Sequence, residues 1–154
     1  MDYKIVNLEQ KIIVGISAIT SNSDPKMGKV IDGLWQKLYQ GGVHTAIKNK
    51  VNEHSIGLYS DYLDDKYCVT VGSEVSKQDN YEFTFKIIPA GKYAKFSVYG
   101  PIQKVVGEAW AEIWKLDLDR SYTGDFEEYL NSDLENSEVD IYIALRSKHS
   151  GFGL

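Results

Sequence analysis

Two segments of this chain carry one helical signature, Lys29-Val30-Ile31-Asp32-Gly33-Leu34-Trp35 and Lys104-Val105-Val106-Gly107-Glu108-Ala109-Trp110, both of the form K-V-[IV]-x-x-x-W. A repeat on this scale constrains the fold strongly, because each copy is one supersecondary unit whose apolar face its neighbour has to cover. The likeness extends to both sides. Ahead of the helices, "KIVNLEQKIIVGISAIT" from Lys4 resembles "KIIPAGKYAKFSVYGP" from Lys86, each a short strand entry, a turn, a lysine and an alternating run. Behind them come "IGLYSDYL" and "KYCVTVGSEV" in the first half, "DFEEYLNS" and "SEVDIYIALR" in the second, all strand-like. "YSDYL" at Tyr59 to Leu63 aligns with "FEEYL" at Phe126 to Leu130, which sets Ser60 against Glu127.

The unit so defined is β-α-β-β, present twice in a single domain, 1–154, with repeat one at about 3–76 and repeat two at about 82–146. Six strands and two helices predict an α+β fold with pseudo-twofold symmetry: an antiparallel sheet with both helices on one face. The second face is then left partly open, and a concave, aromatic-lined cleft at the seam between repeats is a natural small-molecule site. The join is "SKQDNYE"; "GGVHTAIKNKVNEHS" is an insertion in the first repeat, loop or ragged helical extension; 147–154, ending "GFGL", is a flexible tail.

Both helices are amphipathic. Asp24 is placed to cap the first and Pro25 to open it, Met27, Val30, Ile31, Leu34 and Leu38 form its stripe, and Gly41 follows its end. The second starts at Pro101, with Ile102, Val105, Val106, Ala109, Ile113 and Leu116 as its stripe.

Several classes of function are excluded by composition. The net charge of −5 comes from interspersed acids and bases, so no basic patch is offered to a phosphate backbone and nucleic acid is not expected as a direct partner. The single cysteine, Cys68 in "YCVTV", reads as a buried thiol, and with no leader or membrane-length apolar run the chain is expected in the cytoplasm. His44, His54 and His149 have no metal-ligand spacing, Asp117 and Asp119 read as a solvated turn, and no phosphate loop or nucleophile elbow occurs. Neither metal nor cofactor is expected.

What remains is aromatic content, eleven tyrosines and three tryptophans, around one unusual pair of acids in "GDFEEYLNS". Strand alternation sends Glu127 and Glu128 to opposite faces and puts Tyr129 on the face of Glu127. Alternation alone does not say which carboxylate faces a ligand.

The order of these motifs, "IIPAGKYAKFSVYGP" into the second half, a tryptophan in each helix and F-E-x-Y before the final "DIYIAL" strand, resembles the GyrI-like family from about Tyr3 to Leu145. That family includes effector-binding domains of AraC-type and MerR-type multidrug-responsive regulators. The resemblance implies that Glu127 points inward, to the floor of an aromatic pocket for lipophilic cations, and that Glu128 is its solvated neighbour. With no segment to spare for a helix-turn-helix, it implies a stand-alone binder. Trp35 and Trp110 are candidate matched walls, Trp114 extends one of them by a turn, and Tyr59, Tyr99, Tyr129 and Tyr142 are further candidates. Two alternatives also come with the resemblance: a hydrolase of strained cyclopropane-type electrophiles using Glu127 with Tyr129 or Trp110, and a protein-interaction module acting on a separate regulator, a transporter or gyrase.

The chemistry of such a pocket follows from the residue types. A carboxylate among aromatic rings loses hydration, and an organic cation can replace it. Ring faces add about 0.5–2 kcal/mol of cation–π attraction each and bury apolar area without demanding one ligand shape.

Overall fold

A computed structural model describes residues 1–147 of the chain; the tail from 148 on, with His149, lies outside them. The elements in order are β1 (Lys4–Leu8), β2 (Lys11–Ser21), α1 (Met27–Tyr39), α2 (Val43–Ala46), β3 (Ser55–Leu63), β4 (Lys66–Val75), β5 (Thr84–Ile88), β6 (Gly91–Gly100), α3 (Ile102–Trp114), β7 (Asp125–Tyr129) and β8 (Ser137–Ala144). The fold is α+β, as expected. The strand count is not: the short pieces at Lys4 and Thr84 are strands in their own right, so the described residues form one antiparallel sheet of eight strands.

Strand order explains how the short strands are held. The sheet runs β1-β6-β8-β7-β3-β4-β2-β5. Exchanging each strand of one half for its counterpart in the other (β1 for β5, β2 for β6, β3 for β7, β4 for β8) reproduces the same order read backwards. Each half lends its first strand to the other, β1 pairing with β6 and β5 with β2.

A row of paired residues crosses the sheet from Ile16 through Val71, Gly57, Glu127 and Ile141 to Phe96. Both long helices pack on this face. Leu34 and Leu38 of α1 cover Val14, Val69 and Val71, while Ala109 and Ile113 of α3 cover Phe96, Val139 and Ile141. Helix α1 begins at Met27, because Asp24 and Pro25 form the turn ahead of it, where Asp24 accepts hydrogen bonds from the Lys26 and Met27 amides. The insertion forms the one-turn helix α2 and a loop pinned by buried Asn80, which accepts from the Lys48 amide and donates to its carbonyl.

The second face is not the open cleft anticipated from the two-layer pattern. Ile13, Ile56, Leu58, Ile88, Tyr93, Phe126, Tyr142 and Ala144 fill it with a second apolar cluster, in which Phe126 and Tyr142 stack with centroids 4.5 Å apart. The space between the repeats lies on the helix face instead, because each helix sits over its own outer strands and leaves the β3–β7 seam between them. Among the described residues no helix is long and apolar enough to cross a membrane.

Candidate functional site

Gly57 and Glu127 face each other at the seam, and they are symmetry counterparts as well as a cross-strand pair. Tyr59 and Tyr129 stand two residues further along their own strands, and Trp35 and Trp110 are each the ninth residue of a thirteen-residue helix. The sequence alignment of Ser60 with Glu127 is therefore three residues out of register. An odd slip exchanges the faces of a strand, which is why Ser60 plays no part in the site.

The glycine makes the carboxylate possible. A Cβ at position 57 would stand 3.1 Å from both Glu127 Oε1 and the Trp35 ring. Gly57→Val is expected to cost about 1–3 kcal/mol of stability by overpacking and to lower ligand affinity at the same time. Thermal melts and titrations that both match the wild type would remove this role.

Glu127 is 2% exposed and takes three hydrogen bonds, from Trp110 Nε1 to Oε2 at 2.6 Å, from Tyr59 Oη to Oε2 at 3.2 Å and from Tyr129 Oη to Oε1 at 2.7 Å. Among the described residues no basic side chain pairs with it. Burial raises its pKa above the ordinary carboxylate range, and the bonds from Tyr129, Trp110 and Tyr59 oppose that shift without cancelling it. Burial and then the Glu127 charge hold both tyrosines well above the normal phenol value, so they remain donors throughout the working pH range.

Rings close the site on both sides. Trp35 meets Tyr129 edge-on at 5.0 Å and stacks on Tyr39 at 6.4 Å, while Trp110 meets Tyr59 at 5.6 Å and Trp114 at 6.1 Å. The groove between α1 and α3 has two lobes with Ile31 and Tyr59 in common. One, about 600 Å³, contains Glu127, Trp35, Tyr39 and Tyr129; the other, about 520 Å³, lies along Trp110 and Trp114.

Of the eight residues singled out in the sequence, the structure brings Glu127, Trp35, Trp110, Tyr59 and Tyr129 together, with Trp114 at the outer edge and 60% exposed. Tyr99 and Tyr142 lie on the opposite face: Tyr142 is stacked in the second core, and Tyr99 is 65% exposed with its hydroxyl on Asn136. Glu128 does point away from Glu127, but it is not solvated. Its side chain is 17% exposed and meets His54 Nδ1 at 2.8 Å.

Tyr62, Tyr67, Tyr122 and Arg120 also line the smaller lobe, and sequence reasoning passed over them. In a regular strand Tyr62 would face away from Tyr59. A register shift between Ser60 and Leu63, with Asp61 at φ 53°, turns it back so that its hydroxyl donates to Asp125 at 2.7 Å. Asp125 also accepts from Arg120 Nη2 at 2.6 Å and from the Ala144 amide at 2.8 Å. The sequence signal for this cluster was the alternation that puts Asp125 on the face of Glu127.

An antiparallel sheet with this palindromic strand order and two long helices on one face is the fold of a GyrI-like effector-binding domain. Residues 4–145 match the family model described as "Cass2: Integron-associated effector binding protein", and the chain belongs to that family. YobU of Bacillus subtilis (strain 168), whose name provisionally makes it a transcriptional regulator, is 32% identical over 92% of this chain and 96% of its own. The solved structure of SAV2435 bound to tetraphenylphosphonium has the same fold, with a TM-score of 0.82 at 20% identity over 98% of both chains. So does the integron cassette protein VCH_CASS2 of Vibrio cholerae, with a TM-score of 0.71 at 26% identity over 94% of this chain and 95% of its own.

Proposed function

We propose that this protein binds hydrophobic cationic small molecules in the groove between α1 and α3, with Glu127 as the anionic anchor and Trp35, Trp110, Tyr59 and Tyr129 as its walls. The observation that carries this reading is a fully buried carboxylate that has donors but no counter-ion among the described residues. Three neutral hydrogen bonds hold the group in place and leave its charge uncompensated, and a cation lodged among the rings supplies the missing charge. The tetraphenylphosphonium complex of the similarly folded SAV2435 supports the same ligand class. Both Glu127 oxygens are already engaged by donors, an arrangement suited to a fixed anion rather than to a base that collects protons from water, so binding without turnover is favoured.

The pH dependence of binding tests this. In the free protein burial holds the Glu127 pKa up, and a bound cation favours the ionised form and brings it down. Binding therefore releases a proton at pH values between the bound and free pKa. Affinity for tetraphenylphosphonium should rise about tenfold per pH unit across that window and level off above the free value. Calorimetric titrations in buffers of different ionisation enthalpy measure the released proton. A dissociation constant that is flat with pH, with no proton released, would sink the electrostatic account.

A further inference from the structure

The smaller lobe has chemistry of its own. Tyr62, Tyr67, Trp110, Trp114 and Tyr122 form much of its wall, with ring pairs 5.7 Å apart at Tyr62–Tyr122, 6.1 Å at Tyr62–Tyr67 and 6.1 Å at Trp110–Trp114. Between two such walls a flat aromatic molecule buries both faces. Glu127 does not line this lobe.

The polar groups of the lobe are mostly committed. Tyr62 Oη donates to Asp125, Tyr67 Oη to Asn22 at 2.7 Å and Trp110 Nε1 to Glu127. Arg120 differs. Nη2 is held by Asp125 and Nε is buried with no acceptor, while Nη1 makes no hydrogen bond among the described residues, so the guanidinium enters the cavity wall with Nη1 left to donate. Its plane is fixed by Tyr122, whose ring centre lies 4.3 Å from the guanidinium carbon. Its backbone is fixed as well, by the Arg120–Leu145 bridge and the Ser121 amide bond to Ala144. A cation entering here meets a positive donor. At the mouth Asp64 and Asp65 stand beside Lys66, all three exposed, where water screens them.

We propose that this lobe is a second binding site, specific for planar aromatic molecules that carry an oxygen acceptor, with Arg120 donating to that oxygen. It takes the complementary class to the cations of the Glu127 lobe, so one groove serves two kinds of ligand from its two ends.

The probe pair is 2-naphthoate and 2-methylnaphthalene, which share a ring system and differ in the acceptor. Wild-type protein should bind 2-naphthoate about tenfold more tightly, the range expected of a charge-assisted hydrogen bond. Arg120→Lys keeps a cation for Asp125 but has no second set of donors, and the preference should fall below about threefold. Trp114→Ala, at an exposed position that does not endanger folding, should weaken both probes about fivefold. Glu127→Gln, whose amide oxygen can still accept from the Trp110 indole, should not weaken 2-naphthoate binding while it reduces that of tetraphenylphosphonium. Equal affinity for the two probes, loss of 2-naphthoate binding in Glu127→Gln, or indifference to Trp114→Ala would each overturn the proposal. If Arg120→Lys fails to fold, the wild-type probe ratio and the Trp114 and Glu127 variants still decide it. Failure of the cation reading alone would appear differently, as tetraphenylphosphonium affinity insensitive to Glu127→Gln.

Discussion

Glu127→Gln is expected to weaken tetraphenylphosphonium binding about 30- to 100-fold, the range of ~2–3 kcal/mol that follows when one member of a buried charge pair becomes neutral. The amide keeps the size and one acceptor of the carboxylate, so the aromatic walls stay in place and the residual affinity measures their share. Stability should move the other way. A buried carboxyl whose folded pKa lies above its unfolded value favours the native state less and less as pH rises from the unfolded pKa to the folded one. Above that window the variant should therefore melt higher than wild type, and in acid the two should converge. Titration and thermal melts on the same samples test both halves. A variant that binds like wild type, or that loses binding only because it has unfolded, would end the case for an anionic anchor.

Asp125→Ala should give the largest loss of stability of the substitutions considered, about 3–5 kcal/mol. The side chain is 0% exposed and its removal strands three donors at once: Tyr62 Oη, Arg120 Nη2 and the Ala144 amide. For a domain of this size the melting temperature should drop by about 10 °C. Asp125→Asn, which keeps an acceptor, should cost distinctly less. Asp125 lies two positions before Glu127 on the same strand, so cation affinity should also fall in Asp125→Ala while the protein is still folded. A loss of under about 1 kcal/mol would mean that Arg120 and Tyr62 find other acceptors, and that β7 does not depend on this residue.

The parts of this molecule legible in its sequence are those written in local patterns. Helical spacing marked both long helices and paired Trp35 with Trp110, and alternation put Glu127 and Tyr129 on one face. What was illegible depends on pairing at a distance. Nothing within the five residues of β1 says that its partner is β6 of the other half, so the short pieces read as strand entries and were not counted as strands of their own. The register between the repeats was misread because "YSDYL" and "FEEYL" look alike in aromatic content. In space the equivalence is set by the Gly57–Glu127 pair, and a glycine leaves little trace opposite a glutamate. Likewise His54 reaches Glu128 across 74 positions of sequence, a contact that no local pattern announces. Tyr62 was missed because the irregularity after Ser60 reverses its face, and Arg120 because its importance lies in Asp125 and Tyr122 around it.

The exchange of β1 and β5 between the halves bears on how the chain is made. Emerging from the ribosome, β1 has no partner until Gly91–Gly100 follows, and β2 lacks its outer neighbour until Thr84–Ile88 is out. Such distant pairings are slow to close, because the loop entropy is lost before the contacts form. The first half is therefore synthesised with an apolar strand edge unprotected, and biogenesis of this protein is exposed to mispairing with other nascent chains until Gly91–Gly100 has been made.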